Sequence, residues 1–131
     1  MCGIAGWIDS IRNLGSLVFM VVRDETGIVQ LISNDVEKLS KLNKESTITV
    51  TGIVNPRTPD MVNPNMKTGE IEIEVKSYEV LGECTNVLPF EIKKSKESLE
   101  DTRLKYRYLD LRNKEVHDNI CLLYTSDAAD E

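Results

Sequence analysis

Apolar and polar positions alternate along most of the chain, and the breaks in that alternation mark its elements. LVFMVVRD (17–24) and IVQLIS (28–33) are β-branched, apolar runs. Glu25-Thr26-Gly27 separates them with the composition of a hairpin turn. In NDVEKLSKLN, Asn34 or Asp35 can cap a short helix whose Val36, Leu39 and Leu42 form an apolar stripe. TITVTGIV (47–54) alternates, with Ile48 and Val50 on one face and Thr47, Thr49 and Thr51 on the other. EIEIEVKSYEVL (70–81) does the same: Ile71, Ile73 and Val75 face one way, Glu70, Glu72 and Glu74 the other. Between these strands, NPRTPDMVNPNMKTG holds three prolines and two Asn-Pro pairs, which predicts a long loop. Ile4, Trp7 and Ile8 suit a half-buried opening strand. SKESLEDTRLKYRYLDLRNKEV (95–116) is charged and helical in character, with Leu99, Arg103 and Tyr106 at helical spacing.

The order is therefore strand, hairpin, short helix, strand, loop, long strand and helical exit. Short strands with one small inserted helix predict an all-β domain, a small Greek-key barrel of the OB type, followed by a helical exit segment. An SH3-like barrel accounts less well for the inserted helix and the long loop. The expected division is a barrel over 1–92, a linker or helix over 93–118, and a foreign-looking tail over 119–131. MCGIA is a candidate false start.

Composition narrows the chemistry. The chain has 131 residues, 40% apolar and 29% charged, enough for one domain with its own core. No apolar run reaches the length of a membrane span. The net charge of −6 argues against holding nucleic acid by bulk charge, but not against reading a few bases. Charge is uneven: residues 93–114 carry eight basic and four acidic side chains, a basic patch or simply a solvated helix face. Three scattered cysteines (Cys2, Cys84, Cys121) and one histidine, His117, form no zinc-ligand pattern. Free thiols fit a cytoplasmic protein.

Cys2 invites a different reading. MCGIAG resembles the start of glutamine amidotransferases of the N-terminal-nucleophile type, in which a cysteine exposed by methionine removal supplies both thiol and amine. That resemblance covers about nine residues, and none of that family's further motifs follow. A strand residue with an inert thiol is the competing assignment.

A longer resemblance runs in order through the chain. GWIDSIRNLGSLVFMVVRDETGIVQL, TGIV (51–54), MKTGEIEIEV (66–75), NVLPF (86–90) and RLKYRYLDLR (103–112) resemble the aspartyl-tRNA synthetase family over residues 6–116. The lysine enzymes share the barrel and an RYxDL segment, but TGEIEI with KYRYLDLR favours the aspartate family, of bacterial or organellar type. The resemblance implies an anticodon-binding OB-fold, with tRNA as partner. It also implies a parent enzyme that joins aspartate to tRNA using ATP and Mg, and that dimerises through a class II catalytic domain. That domain would follow residue 116. The expectation is a fragment that binds but does not catalyse, with no cofactor of its own.

Four positions match the family's anticodon contacts. Phe19 matches an aromatic residue that stacks on a base. Periodicity alone leaves its direction open: with Val18, Met20 and Val22 in the core it points outward beside Leu17 and Val21, and in the reverse arrangement it is buried. Gln30 matches a glutamine that bonds a base edge, using donor and acceptor together; otherwise it is a polar hairpin residue. Glu72 matches a glutamate reading the first anticodon base, where an acceptor suits the N–H donors of guanine; otherwise it is one of three acids on a solvated face. Arg12 matches an arginine near the anticodon, able to hold phosphate or stack, or is a plain surface residue. Ser10 and Ile11 replace residues commonly basic, and Val21 replaces a frequent aspartate. The family's usual lead-in is missing, which predicts a short first strand and a less closed barrel. CLLYTSDAADE resembles no part of the family. A stand-alone OB module for single strands or proteins remains the alternative.

Overall fold

The structure, a computed structural model, describes residues 1–130. Five strands close into a barrel in the order β1-β2-β3-β5-β4. They are β1 (Cys2–Asn13), β2 (Val18–Arg23), β3 (Ile28–Ser33), β4 (Thr47–Pro56) and β5 (Ile71–Gly82). Neighbours pair antiparallel except β3 and β5, which run parallel. A short helix, α1 (Val36–Leu39), joins β3 to β4, and the Asp35 side chain caps it by accepting from Lys38 N. This is the OB arrangement, closed between β3 and β5 by the short parallel pairing of Leu31–Ile32 with Ile73–Glu74.

The expected short first strand and open barrel are corrected. β1 has 12 residues, and Cys2–Trp7 pair with Gly52–Thr47 of β4. Residues 2–5 thus complete the ladder that closes the barrel. The proline-rich loop holds one 3-10 turn, Pro59–Met61.

The alternation seen in the sequence becomes an inside and an outside. Ile8, Val18, Met20, Val22, Leu31, Ile48, Val50 and Ile73 are each at most 3% exposed and, with Leu39 of α1, form one core cluster. Bulges change the phase of two strands. Asp9 drops out of the β1–β2 register between Ile8 and Ser10, so Ile11 joins Ile4 and Ile8 against the core. Lys76 drops out of the β4–β5 register, so Tyr78 follows Ile73 and Val75 inward. Trp7, between the inward residues Ile4 and Ile8, is 39% exposed.

Arg23 ties the first bulge to the loop before β4. Its Nη1 donates to Asp9 Oδ1 and its Nη2 to Glu45 Oε2, both at 2.8 Å. Glu45 has φ of 70°, a left-handed conformation uncommon outside glycine, and this ion pair helps hold it.

Residues 86–131 cluster as a second unit, apart from 1–85. Within it lie a 3-10 segment (Ile92–Glu97), α2 (Glu100–Lys105), α3 (Arg107–Asp110) and α4 (Lys114–Asp130). Arg103 donates to both Asp110 carboxylate oxygens, at 3.3 and 3.2 Å, and Asn113 Nδ2 donates to Ile92 O at 2.9 Å. RLKYRYLDLR is therefore broken at Tyr106, not one continuous helix. The segment set apart as a tail continues α4 as helix to residue 130, with exposed side chains over 117–128. Its last residue lies outside the described residues.

Candidate nucleic-acid interface

Strand register brings the four candidate residues onto one outward face. Arg12 of β1 pairs with Phe19 of β2, Phe19 with Ile32 of β3, Ile32 with Glu74 of β5, and Glu74 with Ile53 of β4. One row along, Ser10 pairs with Val21 and Val21 with Gln30, while Glu72 pairs with Asn55. The parallel pairing of Leu31 with Ile73 sets Gln30 level with Glu72. Neighbouring strands lie about 5 Å apart and successive rows roughly 7 Å apart. Phe19, Gln30 and Glu72 therefore occupy adjacent places on three consecutive strands, with Arg12 at the β1 margin beside Phe19.

Burial settles the direction that periodicity leaves open. Val18, Met20 and Val22 are buried and Phe19 and Val21 are half-buried on the opposite face. Leu31 and Ile73 are buried, while Gln30, Ile32, Glu72 and Glu74 are half-buried. Ser10 and Ile11, where basic residues were expected, take different sides: Ser10 joins the outward row and Ile11 turns to the core because Asp9 bulges.

Arg57 is the residue that sequence reasoning missed. Its side chain is 3% exposed, and Nε stands 4.0 Å from Glu72 Oε2. Nε donates to Ile71 O at 3.0 Å, and the backbone N donates to Glu70 O at 2.8 Å. Nη2 is buried without a hydrogen-bond partner among the described residues. Arg57 thus pins the proline-rich loop to the start of β5, directly beneath Glu72. Thr68 adds a second pin by donating its hydroxyl to Ile28 O of β3. The only signal in the sequence was a cation inside a loop otherwise read as connection. Glu74 is paired with Lys76 and accepts from Asn55 Nδ2 at 3.4 Å. The Lys76 hydrogen bond and charge hold the Glu74 carboxyl below its ordinary value. Arg12 is exposed and has no carboxylate partner among the described residues.

The face combines an aromatic platform, an amide with both donor and acceptor, an acceptor-only carboxylate and a marginal cation. Stacking on the ring tolerates any base, while the amide and carboxylate can tell base edges apart. Among the described residues no group of three or more His, Cys, Asp or Glu side chains is placed to hold a metal ion. No helix among them is long and apolar enough to cross a membrane. Cys2 is a strand residue opposite Gly52 and packs against the core cluster.

A family model, tRNA anti-codon, described as an OB-fold nucleic acid binding domain, matches residues 3–81. The chain belongs to this family. Similar proteins include an aspartate–tRNA(Asp/Asn) ligase of Pelagibacter ubique, 42% identical over 123 residues, covering 91% of this chain and 20% of that protein. An aspartate–tRNA ligase of Streptomyces griseus is 45% identical over 125 residues, again covering 91% of this chain and 20% of its own. The chain spans about a fifth of the length of these curated relatives. An aspartyl-tRNA synthetase structure from Entamoeba histolytica superposes with a TM-score of 0.71 at 25% identity, over 85% of this chain and 29% of that one. The resemblance read from TGEIEI and KYRYLDLR and these relatives point to the same enzymes.

Proposed function

We propose that this barrel reads the anticodon loop of a tRNA as the N-terminal domain of an aspartyl-tRNA synthetase, whose parent reaction attaches aspartate to tRNA with ATP. The observation that supports this most is the placement of Phe19, Gln30 and Glu72 on three neighbouring strands of one face. Phe19 stacks on a base. Gln30 and Glu72 bond base edges, and Arg12 meets the backbone at the β1 margin. ATP, Mg and dimer formation belong to the parent's catalytic domain, and the site of action is the cytoplasm. The barrel's own part is recognition, without a cofactor.

Titration of anticodon stem-loops tests the reading. Phe19→Ala weakens binding to every loop by about 1–3 kcal/mol. Gln30→Ala and Glu72→Ala narrow the gap between the cognate loop and a single-base variant. Equal affinity of the wild-type chain for cognate and variant loops refutes anticodon reading and leaves a general single-strand module.

A further inference from the structure

The outward face does not stop at the rows of Gln30 and Glu72. Pairing of β3 with β5 ends at Ile32 and Glu74, β3 itself ends at Ser33, and Lys76 bulges out of the β4–β5 register. The two strands part there, and α1 lies alongside. The gap is a groove of about 520 Å3 lined in part by Asn34, Asp35, Lys38, Lys76, Ser77 and Tyr78. It opens beyond the last paired row of the face: Gln30 level with Glu72 is followed by Ile32 with Glu74, and past that pair Asn34 and Lys76 line the groove.

The charges in the groove are arranged asymmetrically. Asp35 is committed inward: Oδ2 accepts from Tyr78 Oη at 2.8 Å, and Oδ1 accepts from Lys38 N at 3.4 Å. Lys38 is exposed, and its ammonium has no carboxylate partner among the described residues. Among the described residues Lys76 is paired only with Glu74, and both side chains are more than 40% exposed. An exposed pair of this kind contributes little and exchanges readily. On exchange, Glu74 keeps the Asn55 amide as a donor. Two lysines, Ser77 and Asn34 therefore line the same groove.

We propose that this groove seats a backbone phosphate of the RNA strand whose bases lie on the Phe19–Gln30–Glu72 face, with Lys38 and Lys76 holding it. The inference rests on the RNA-binding reading above. A chain of net charge −6, with Glu72 and Glu74 on the reading face, repels a polyanion except where local cations meet it. Arg12 supplies one such point at the β1 margin, and the groove supplies another at the β5 bulge. The bulge is the device: it turns Lys76 and Ser77 outward together, which regular alternation could not do.

The test compares the full chain with Lys38→Ala, Lys76→Ala, the double variant and Lys38→Arg. Each is titrated with cognate and single-base-variant stem-loops at several salt concentrations. Each alanine substitution should weaken both loops by the same factor, roughly threefold or more, and reduce the slope of log K against log salt by about 0.7. Lys38→Arg should bind like wild type. Thermal melts should be unchanged, since both side chains are exposed. Unchanged affinity and slope in the double variant overturn the proposal. So does a loss confined to the cognate loop, which would mean base reading. Inorganic phosphate titrated alone is the third arm: if it occupies the groove while RNA affinity ignores both lysines, the site is for a free anion and the proposal falls. If Phe19→Ala weakens RNA binding while the lysine variants do not, only this inference fails. If wild type binds no stem-loop, both readings fail together.

Discussion

A single methyl group at Gly52 should disturb the scaffold beneath the reading face. Gly52 lies in β4 opposite Val75, at the step where Lys76 leaves the register. A Cβ built there stands 2.3 Å from the Glu74 carbonyl oxygen and 2.6 Å from Ile73 Cγ2. The first obstacle is backbone and cannot rotate away. The carbonyl must retreat by about 0.7 Å to reach even a tight 3.0 Å contact. Retreat strains the β4–β5 ladder or draws Ile73, 3% exposed, out of the core. Overpacking of this kind costs about 1–3 kcal/mol, and a closed barrel has little slack to relax it. Gly3 is the internal control: it pairs with Thr51, the chain neighbour of Gly52, yet a Cβ there meets nothing within 4 Å. Gly3→Ala should be neutral or stabilise by up to about 1 kcal/mol through the unfolded chain. Circular dichroism during heating and in urea measures both. Gly52→Ala should lose roughly 5–20 °C in Tm while Gly3→Ala loses none. A Gly52→Ala variant that melts with wild type, or equal losses at both glycines, would refute the steric argument.

Two further outcomes follow from named contacts. Arg23→Met removes the guanidinium that faces Asp9 and Glu45, whose side chains are only 4% and 8% exposed; urea unfolding should show a loss of about 3 kcal/mol, moderated because Arg23 is itself partly solvated, and a change below about 1 kcal/mol would contradict the role given to this network. Burial, then the hydrogen bond to Asp35 and its charge, push the Tyr78 phenol up to about 12. The fold therefore favours the neutral phenol, so its contribution is complete below pH 10 and is lost as pH rises from 10 towards 12. Phenolate absorbance should show a late-titrating tyrosine that vanishes in Tyr78→Phe; a late step that persists in the variant would assign it elsewhere.

The amino-acid sequence determined what neighbours along the chain can encode. Alternation in TITVTGIV and EIEIEV set strand and face, because side chains two apart share one side of a strand. Asp35 and the Val36, Leu39 and Leu42 stripe set the inserted helix, and the prolines of NPRTPDMVNP set the loop. The direction of Phe19 was not encoded locally, since Leu17, Phe19 and Val21 are as apolar as Val18, Met20 and Val22. Hairpin register and closure decided it: Met20 falls opposite Leu31 and Val22 opposite Val29 on the side that closes over the core, while Val21 falls opposite Gln30 and Arg23 opposite Ile28 on the other. The bulges at Asp9 and Lys76, the burial of Arg57 under Glu72 and the pairing of Cys2–Trp7 with β4 were likewise decided by closure. These features depend on which residues from distant parts of the chain lie opposite one another, and that alignment exists only once the barrel is closed.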